Sequence, residues 1–534
     1  MSAVGNAKLW LVFDALTAGA IAGLVGEALV LRMNPEVTQG FPGVVIGFPL
    51  WATWGMAGFG LPILAGLLIF NRVRPRAERW PAPALIAAVF LLAAILSRVN
   101  VHLHTRLLEA TVRRVLSQDA VTWLVASLLA VLGGILVRRL GGGRRLKVVF
   151  GLLMLTLPAA RILWVATPPR QPLEVAARPL GEAQRALLVI GIEGLDAKIL
   201  LVDVAAGSCP TLNLVREAGS WGPLLPHRPY LRWALWTSVA TGTFPRLHGV
   251  KAHWGWDLPL VFPETLRLLP WTPEGSRMIL PWWMARRVVP PPATVAPLWA
   301  RLEASGLRTA VFGWPGAWRS LGDSVPPASD LRNTALDSTL EAPLRAALEP
   351  FPDRRSQIWE AFQRDQARVE GARKAFAQGA RDVWIHLEAL ALVRRYHEPL
   401  RPRHTNERLL LDLALELLDG QLATLIGAAP DGTQIAVVSP YGLEPPWLFE
   451  RMRRLLGGGG AWHTSAERCP DGVFMLLGEA VPPGRRATAA TLPDVAPTLC
   501  YLLGLPVAQY MEGGVLVDAV DPTYLSQHPL RVVD

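Results

Sequence analysis

One carboxylate lies where the sequence predicts the edge of a buried sheet. The apolar run from Ala186 to Ile192 is followed directly by Glu193 and Gly194. A short apolar run closed by a glycine turn is typical of a strand that is buried on both faces of a parallel sheet. Because open α/β sheets bind ligands beyond the carboxyl ends of their strands, Glu193 stands where a metal-binding carboxylate is expected.

Histidine and cysteine, the other common metal ligands, form no recognisable metal motif. None of the histidines has HExxH spacing or a nearby cysteine partner, so we expect surface or hydrogen-bonded roles for them. His463 is the one candidate for a replacement ligand, since it lies close to Arg468. Three scattered cysteines, Cys209, Cys469 and Cys500, are too few for a disulfide framework, and a single bridge among them stays open.

The composition predicts a membrane part joined to a globular part. The 534 residues are 51% hydrophobic and 18% charged, with a mean hydropathy of +0.29, which is too apolar for an ordinary soluble enzyme. Apolar segments long enough to span a bilayer are predicted at 9–33, 44–70, 82–97, 120–137 and 148–165. We therefore divide the chain into a transmembrane region (1–166), a proline-rich linker (167–185) and one α/β domain (186–534).

Three charged residues fall inside the predicted spans. Asp14 and Glu27 lie in the first span and Arg161 in the fifth. Intramembrane charges are costly, so they face a polar path or lipid headgroups, or they pair within the helix bundle. For Arg161 we favour a helix-end charge that snorkels or pairs, while both interpretations stay open for the two carboxylates.

Basic loops predict the orientation in the membrane. Loops 71–79 and 138–147 carry four and five basic residues, and they account for much of the net charge of +10 without any need for nucleic acid. The positive-inside rule puts these loops and the N-terminus in the cytoplasm, and the large domain outside a bacterial-type inner membrane. Residues 99–118, on the outer side, are predicted to form an amphipathic surface helix.

Beyond residue 186, alternating strand and helix patterns predict a mainly parallel sheet with helices on both faces. The blocks LLVIGIEGLD, LWTSVATGTFPRLHGV, APLWARLEASGLRTAVFGWPG, IAVVSPYG, CPDGVFMLLG and LPDVAPTLCYLLG occur in an order that resembles the alkaline phosphatase superfamily, and within it the type I phosphodiesterase/nucleotide pyrophosphatase branch. The resemblance covers about residues 186–517. Five spans followed by such a domain also resemble phosphoethanolamine transferases and lipoteichoic acid synthases, which act on lipid-linked phosphates.

The resemblance implies a site with two divalent metals, normally zinc, and a Ser or Thr nucleophile. The positions that it assigns to the metal ligands and the nucleophile hold Glu193, Arg232, Ala391, Arg395, Pro440, Tyr441 and Arg468. Only Glu193 among them is a good metal ligand, and a guanidinium at the nucleophile position has no usable lone pair. We therefore expect a catalytically silent domain with no bound metal or other cofactor.

Three of the replacements are arginines, which suggests two uses for the site. Arg232, Arg395 and Arg468 are predicted either to form an anion pocket for a phosphorylated ligand or to pair with carboxylates and close the cleft. Glu193, Glu388 and Glu467 are the expected partners for the second use.

Two classes of function remain at the level of sequence. The favoured one is a non-enzymatic membrane protein that acts as a structural or ligand-binding subunit of a membrane or envelope complex. The alternative is a membrane-anchored phosphodiesterase or phosphotransferase for lipid-linked or nucleotide phosphates with a rearranged site. The Trp- and Pro-rich segment 254–289 is predicted either to touch lipid or the membrane helices, or to cap the domain.

Overall fold

The computed structural model of the chain divides into two compact units. The first comprises Met1–Gln171 and Ala252–Val289, and the second comprises Pro172–Lys251 and Pro290–Asp534. Segment 252–289, which the sequence places within the α/β domain, therefore clusters with the first unit. The structure describes residues 3–37, 41–73, 80–164, 174–201, 209–251, 254–257, 265–268, 270, 285–287, 293–315, 336, 338–396, 405–444 and 469–533.

The helices and strands of the described residues are numbered in chain order. The α-helices are α1 (Ala3–Met33), α2 (Phe41–Gly55), α3 (Leu61–Val73), α4 (Ala82–Leu103), α5 (Ala110–Arg139), α6 (Arg144–Trp164), α7 (Ala197–Ile199), α8 (Pro210–Ala218), α9 (Arg232–Thr241), α10 (Pro245–His248), α11 (Leu298–Ala304), α12 (Ser338–Leu348), α13 (Pro352–Ala377), α14 (Ala389–Tyr396), α15 (Thr405–Ala428), α16 (Val495–Leu502) and α17 (Pro522–Gln527). The strands are β1 (Leu187–Ile192), β2 (Ser220–Leu225), β3 (Trp254–Trp256), β4 (Ala285–Arg287), β5 (Thr309–Phe312), β6 (Asp382–Leu387), β7 (Gln434–Tyr441), β8 (Asp471–Leu477), β9 (Arg485–Arg486), β10 (Ala490–Thr491), β11 (Val507–Ala508) and β12 (Val532–Val533).

The first unit carries the apolar helices that the sequence predicts. Among the described residues, five helical segments are long and apolar enough to cross a membrane, with α2, a π-helical turn at Met56–Gly60 and α3 counted as one segment. The segments are Leu9–Met33, Val45–Phe70, Ala82–Leu103, Ala110–Arg139 and Arg144–Leu163. These helices fit a membrane anchor, and the prediction of five apolar helices is confirmed.

The predicted surface helix at 99–118 is wrong. No Pro or Gly interrupts this stretch, so the two neighbouring helices extend into it instead. Helix α4 continues to Leu103, a short turn follows, and α5 begins at Ala110 with Glu109 as its N-cap residue. Residues 110–118 are therefore the first part of the fourth apolar helix.

Glycines bring the backbones of α1 and α2 into direct contact. A Cβ atom on Gly23 would lie 1.9 Å from the carbonyl oxygen of Trp51, and one on Gly55 would lie 2.1 Å from the carbonyl oxygen of Gly19. Gly19 and Gly23 are four residues apart on one face of α1, the small-residue spacing that favours close helix packing in membranes. Helix α1 is the most buried of the five segments because it packs against α2, α4, α5 and α6.

Hydrogen bonds and ion pairs define the surroundings of Asp14 and Arg161, which the sequence places in the first and fifth spans. Asp14 accepts a hydrogen bond from Trp80 Nε1 at 3.2 Å. Arg161 binds Asp119 of α5, which also binds Arg32 of α1, so Arg161 pairs within the bundle. We call Arg32, Asp119 and Arg161 the Asp119 triad. Glu27 is completely buried.

Part of segment 252–289 contacts the apolar helices within the first unit. The side-chain amide of Asn34, just beyond α1, accepts from the backbone N–H groups of Arg267 and Leu268 at 2.8 and 2.9 Å. It also donates to the carbonyl oxygen of Leu268 at 2.7 Å. Of the two interpretations open for this segment, these contacts match the one in which it touches the helices. Its strands β3 and β4 pair antiparallel.

The second unit is built on a mixed, mostly parallel sheet. Its strand order is β10-β2-β8-β7-β1-β6-β5, with β9 beside β2. Strand β1 is parallel to β6 and β7, and every residue of β1 is buried. Strand β8 is antiparallel to both β2 and β7, so the expected mainly parallel sheet is confirmed with one reversed strand. Helices α8 and α12–α15 pack on one face, and α9, α11 and α16 pack on the other.

A glycine in the central strand fixes the position of α9. A Cβ atom on Gly191 would lie 2.7 Å from the indole ring of Trp236, so only glycine leaves room for this tryptophan against β1. The ring of Trp236 also packs edge-to-face on Trp314 at 5.0 Å. Helix α9 is thereby held against the sheet, and its first residue is Arg232. No disulfide joins the three cysteines of the chain, which are all buried.

Candidate functional site

Glu193 lies at the carboxyl edge of the sheet, as the sequence predicts. It follows β1 directly, its backbone N–H donates to Leu387 O at 2.9 Å, and it is 1% exposed. Strands β6 and β7, which flank β1, end beside it at Leu387 and Tyr441. Gly194 then turns the chain with a φ of +84°, a conformation that favours glycine.

Four side chains from four different elements converge on the Glu193 carboxylate. Arg232 Nη2 lies 2.5 Å and His386 Nε2 lies 3.4 Å from Oε2. The hydroxyl of Tyr441 donates to Oε1 at 2.6 Å, and Arg395 Nη2 lies 3.7 Å from the same oxygen. Both carboxylate oxygens are therefore occupied by donors from within the chain.

A second carboxylate shares these cations. Glu388 Oε2 lies 3.1 Å from Arg232 Nη2, so Arg232 bridges Glu193 and Glu388. Glu388 Oε1 lies 3.0 Å from Arg364 Nε and 3.6 Å from Arg368 Nη2, both on α13. We call Glu193, Arg232, Arg364, Arg368, His386, Glu388, Arg395 and Tyr441 the Glu193 cluster.

Asp365 supports this cluster by binding the backbone at Glu388 and the side chain of Arg368. Its Oδ2 accepts the backbone N–H groups of Glu388 and Ala389 at 2.8 and 2.7 Å, at the start of α14. Its Oδ1 binds Arg368 Nη1 at 3.0 Å. A carboxylate on the first N–H groups of a helix compensates the positive end of the helix dipole and fixes where the helix begins. Asp365 therefore sets the position of α14, which carries Arg395.

Burial and charge act against each other on the ionisable groups. Burial raises the pKa of Glu193, but Arg232, His386 and Arg395 lower it more, so this pKa lies well below its usual range. Burial lowers the pKa of His386 to about 4 against the attraction of Glu193, so the ring is neutral at pH 7. Burial and the Glu193 charge raise the pKa of Tyr441 well above its usual value, so Tyr441 stays a hydrogen-bond donor.

Ala391 and Pro440, two further positions that the resemblance assigns to metal ligands, have no charged side chain. A Cβ atom on Gly194 would lie 3.1 Å from Cα and Cβ of Ala391, so Ala391 packs against the turn after β1. Pro440 lies in β7, one residue before Tyr441. Arg468 and His463 lie outside the described residues.

The hydroxyl groups that follow Arg232 on α9 form hydrogen bonds with helix carbonyls and histidines. Thr237 and Thr241 each donate to a carbonyl of α9 four residues earlier, at 2.8 Å. Ser238 Oγ lies 3.1 Å from both His227 Nε2 and His248 Nε2. His248 Nδ1 accepts the N–H of Val250, which assigns the proton of that ring to Nε2. These hydroxyls lie on α9, within the helix that the resemblance puts after the nucleophile position.

An arginine that the sequence did not single out closes the turn beside Glu193. Arg394 donates to Gly194 O and to Leu443 O, and its Nη2 lies 2.9 Å from Asp196 Oδ2. A Cβ atom on Gly442 would lie 2.4 Å from Asp196 Cβ, so the retained glycine of the SPYG block is required by this packing. The sequence signal for this clamp is the pair of glycines, one at the end of each strand.

Sequence reasoning missed several members of the Glu193 cluster. The structure brings Glu193, Arg232, Arg395 and Tyr441 together, as the aligned blocks imply. It adds His386, Arg364 and Arg368, for which the sequence offers no motif. Among the described residues, no group of three or more His, Cys, Asp or Glu side chains is arranged to hold a metal ion.

Comparison with known proteins supports the fold. Residues 187–453, half of the chain, match the family model for type I phosphodiesterase/nucleotide pyrophosphatase. The sequence has no match among curated proteins.

Two solved structures illustrate the similarity. One is an inactive form of murine ectonucleotide pyrophosphatase/phosphodiesterase 5 in complex with AMP, 13% identical, covering 63% of this chain and all of that one, with a TM-score of 0.40. The other is a putative sulfatase from Bacteroides thetaiotaomicron, 12% identical, covering 65% of this chain and 75% of that one, with a TM-score of 0.39. By the family match over half of its length, the chain belongs to the type I phosphodiesterase/nucleotide pyrophosphatase family.

Proposed function

We propose that this chain is a catalytically silent, membrane-anchored member of its family that works by binding rather than by chemistry. The observation that carries the proposal is the occupation of Glu193. Both of its oxygens are held by Arg232, Tyr441, His386 and Arg395, at the place where the resemblance puts two divalent metals.

The donor set at this place does not fit such metals. Ala391 and Pro440 have no side-chain donor atom, and the arginines keep their protons at any physiological pH. The cation of Arg232, 2.5 Å from Glu193, occupies the position of a positive ion next to the carboxylate. The hydroxyls of α9 are committed to helix carbonyls and to histidines. We therefore derive no metal-dependent step and no nucleophilic step for this site.

The cluster retains the capacity to bind an anion. Arg232, Arg364 and Arg395 keep 28, 32 and 26% of their side-chain surface exposed. Nε of Arg232 and Nε of Arg395 are buried and have no hydrogen-bond partner among the described residues. Guanidinium groups bind phosphate and carboxylate oxygens through paired N–H donors. A phosphorylated ligand is therefore the class of molecule that this surface suits.

The membrane part sets where this binding takes place. The basic loops at 71–79 and 138–147 favour a cytoplasmic N-terminus and a domain on the outer face of an inner (plasma) membrane. A domain that binds without catalysis at that face suits a structural or ligand-binding subunit of a membrane or envelope complex.

Two measurements on the purified full chain test the proposal. We expect no turnover of a generic aryl phosphodiester with or without added zinc or manganese, and less than stoichiometric zinc by elemental analysis. Stoichiometric zinc together with turnover that Glu193→Ala abolishes would overturn it and support the alternative, an active phosphodiesterase or phosphotransferase.

Anion binding by the Glu193 cluster is tested separately. Thermal unfolding in the presence of AMP or inorganic phosphate should show stabilisation that Arg395→Ala reduces and Arg373→Ala leaves unchanged. Arg373 is the matched control because it pairs with Glu370 on the exposed side of α13. Absence of any stabilisation by phosphate or AMP would leave the silent domain without an anion-binding role.

A further inference from the structure

Three charged residues meet at one end of the apolar helices of the first unit. Arg32 lies in the last turn of α1, Arg161 lies in the last turn of α6, and Asp119 lies in the first third of α5. The basic loop between α5 and α6 is at the opposite end of these two helices. The Asp119 triad therefore lies near the level at which the helices leave the hydrocarbon, on the side away from that loop.

One carboxylate serves two guanidinium groups in this triad. Asp119 Oδ2 lies 3.2 Å from Arg32 Nε, and Asp119 Oδ1 lies 2.5 Å from Arg161 Nε. Arg32 Nη2 also donates to the carbonyl oxygen of Arg161 at 3.0 Å. Arg32 and Asp119 are almost fully buried, so the charges hold three helices together where water has little access. The three residues sum to one positive charge.

One N–H donor group of Arg161 has no acceptor among the described residues. Its Nη2 is buried and has no partner among the described residues, while 17% of its side chain reaches the surface of the bundle. A buried N–H donor on a cation is costly unless an acceptor satisfies it, and an anionic acceptor satisfies it best. The Arg161 side chain thus reaches the surface of the bundle, and its buried Nη2 is short of an acceptor.

The geometry points to a binding site for a phosphate oxyanion, carried by an anionic lipid headgroup, at Arg161 and Arg32. At this level the helices pass through the headgroup region of the bilayer, so the phosphate closest to Arg161 is that of a neighbouring lipid. Basic pockets between membrane helices bind anionic headgroups by the same charge matching. Asp119 neutralises one arginine and orients both, which leaves one positive charge for the ligand.

Lipid binding to the full-length protein tests this site. The protein is placed in lipid nanodiscs of phosphatidylcholine alone or with added phosphatidylglycerol, and bound lipid is counted by native mass spectrometry after release into detergent. We expect selective retention of phosphatidylglycerol by the wild type. Arg161→Gln should weaken that retention by about tenfold, the factor expected for one charge-assisted hydrogen bond. Arg161→Lys should retain part of it.

Matched variants keep the test decisive. Arg139→Gln makes the same charge change at the exposed basic end of α5 and should alter retention less than about twofold, because a screened surface charge contributes little. If Arg161→Gln fails to fold, Arg161→Lys keeps a cation beside Asp119 and should still retain less phosphatidylglycerol than the wild type, because it lacks the second guanidinium N–H donor. Equal retention of both lipids, or equal losses in the Arg161 and Arg139 variants, would overturn the proposal.

A separate unfolding experiment distinguishes binding of a lipid headgroup from binding of a free anion. Inorganic phosphate added to detergent-solubilised, lipid-depleted protein should raise the unfolding temperature much less than phosphatidylglycerol does. If phosphate alone gave the full effect, and Arg161→Gln abolished it, the site would be one for a soluble anion and the lipid assignment would be wrong.

Discussion

The Glu193 cluster and the Asp119 triad both pair a buried carboxylate with arginines, but the cluster offers its arginines more alternative partners than the triad does. Each puts a carboxylate that is about 1% exposed between two arginines. In the Glu193 cluster, Arg232 also binds Glu388, and Tyr441 donates to Glu193. In the triad, the ion pairs of both arginines among the described residues are made with the one carboxylate of Asp119. The loss of a single carboxylate should therefore lower the free energy of unfolding more in the triad than in the cluster.

The largest effect is expected from Asp119→Asn. This change leaves the buried guanidinium of Arg32 and the partly exposed one of Arg161 without their shared carboxylate, which should cost about 3–5 kcal/mol in the free energy of unfolding. Thermal or denaturant unfolding of the full chain in one fixed detergent measures it. The control is Asp14→Asn, which keeps a hydrogen-bond acceptor for Trp80 and should cost less. Equal losses in the two variants would show that the triad is no special support of the bundle.

A smaller loss is expected from Glu193→Ala. Arg232 keeps its contact with Glu388, so the cost should be about 2–3 kcal/mol, with Glu193→Gln intermediate because its amide oxygen still accepts from Tyr441. Neither variant should lose any phosphodiesterase activity. Glu370→Ala, on an exposed pair of α13, should leave the unfolding temperature unchanged. If Glu193→Ala proved more damaging than Asp119→Asn, the redundancy argument would be wrong.

His386 should give the domain a dependence on acid pH. Its pKa is lowered by burial from 6.5 to about 4, so below pH 6.5 the unfolded chain takes up a proton that the folded protein refuses. Stability should therefore fall as the pH is lowered from 6.5 to 4, by about 2–3 kcal/mol for this residue. His386→Gln should flatten that part of the curve. Comparison with the wild type cancels the contributions of other groups, and identical curves would contradict the assignment.

The smallest effect is expected from Arg395→Ala. Its Nη2 lies 3.7 Å from Glu193, and its side chain is 26% exposed, so the pair should contribute about 0–1 kcal/mol. The sharper readout is phosphate binding, since Arg395 is one of the cations offered to a ligand. A large loss of stability would instead make Arg395 part of the support of Glu193.

The mainly parallel sheet and the edge that holds the site could be predicted from the sequence because local patterns encode them. The apolar run before Glu193 predicts a buried strand, and the positions that the resemblance assigns to the nucleophile and a metal ligand include Arg232 and Arg395, which lie beside Glu193 in the structure. The five apolar helices follow from hydropathy alone. These features depend on residues that are close in the chain, or on blocks with a recognisable order.

The partners supplied by distant helices could not be read from the sequence. Arg364 and Arg368 reach Glu388 only because α13 packs against the end of β6, a tertiary contact with no local pattern. The pairing of Arg161 with Asp119 was missed for a related reason. The surface helix was predicted at 99–118 and the apolar span at 120–137, so Asp119 belonged to neither, whereas it lies within α5, which begins at Ala110.

The discontinuity of the first unit has a consequence for biosynthesis. The contact of Asn34 with Arg267 and Leu268 joins residues that the ribosome makes far apart in time. The apolar helices are synthesised first, yet the unit to which they belong is complete only when Ala252–Val289 has also emerged. In a C-terminal fragment that starts at Pro172, the backbone N–H groups of Arg267 and Leu268 would lose their acceptor, Asn34. This loss would occur even if the sheet of the fragment folded normally.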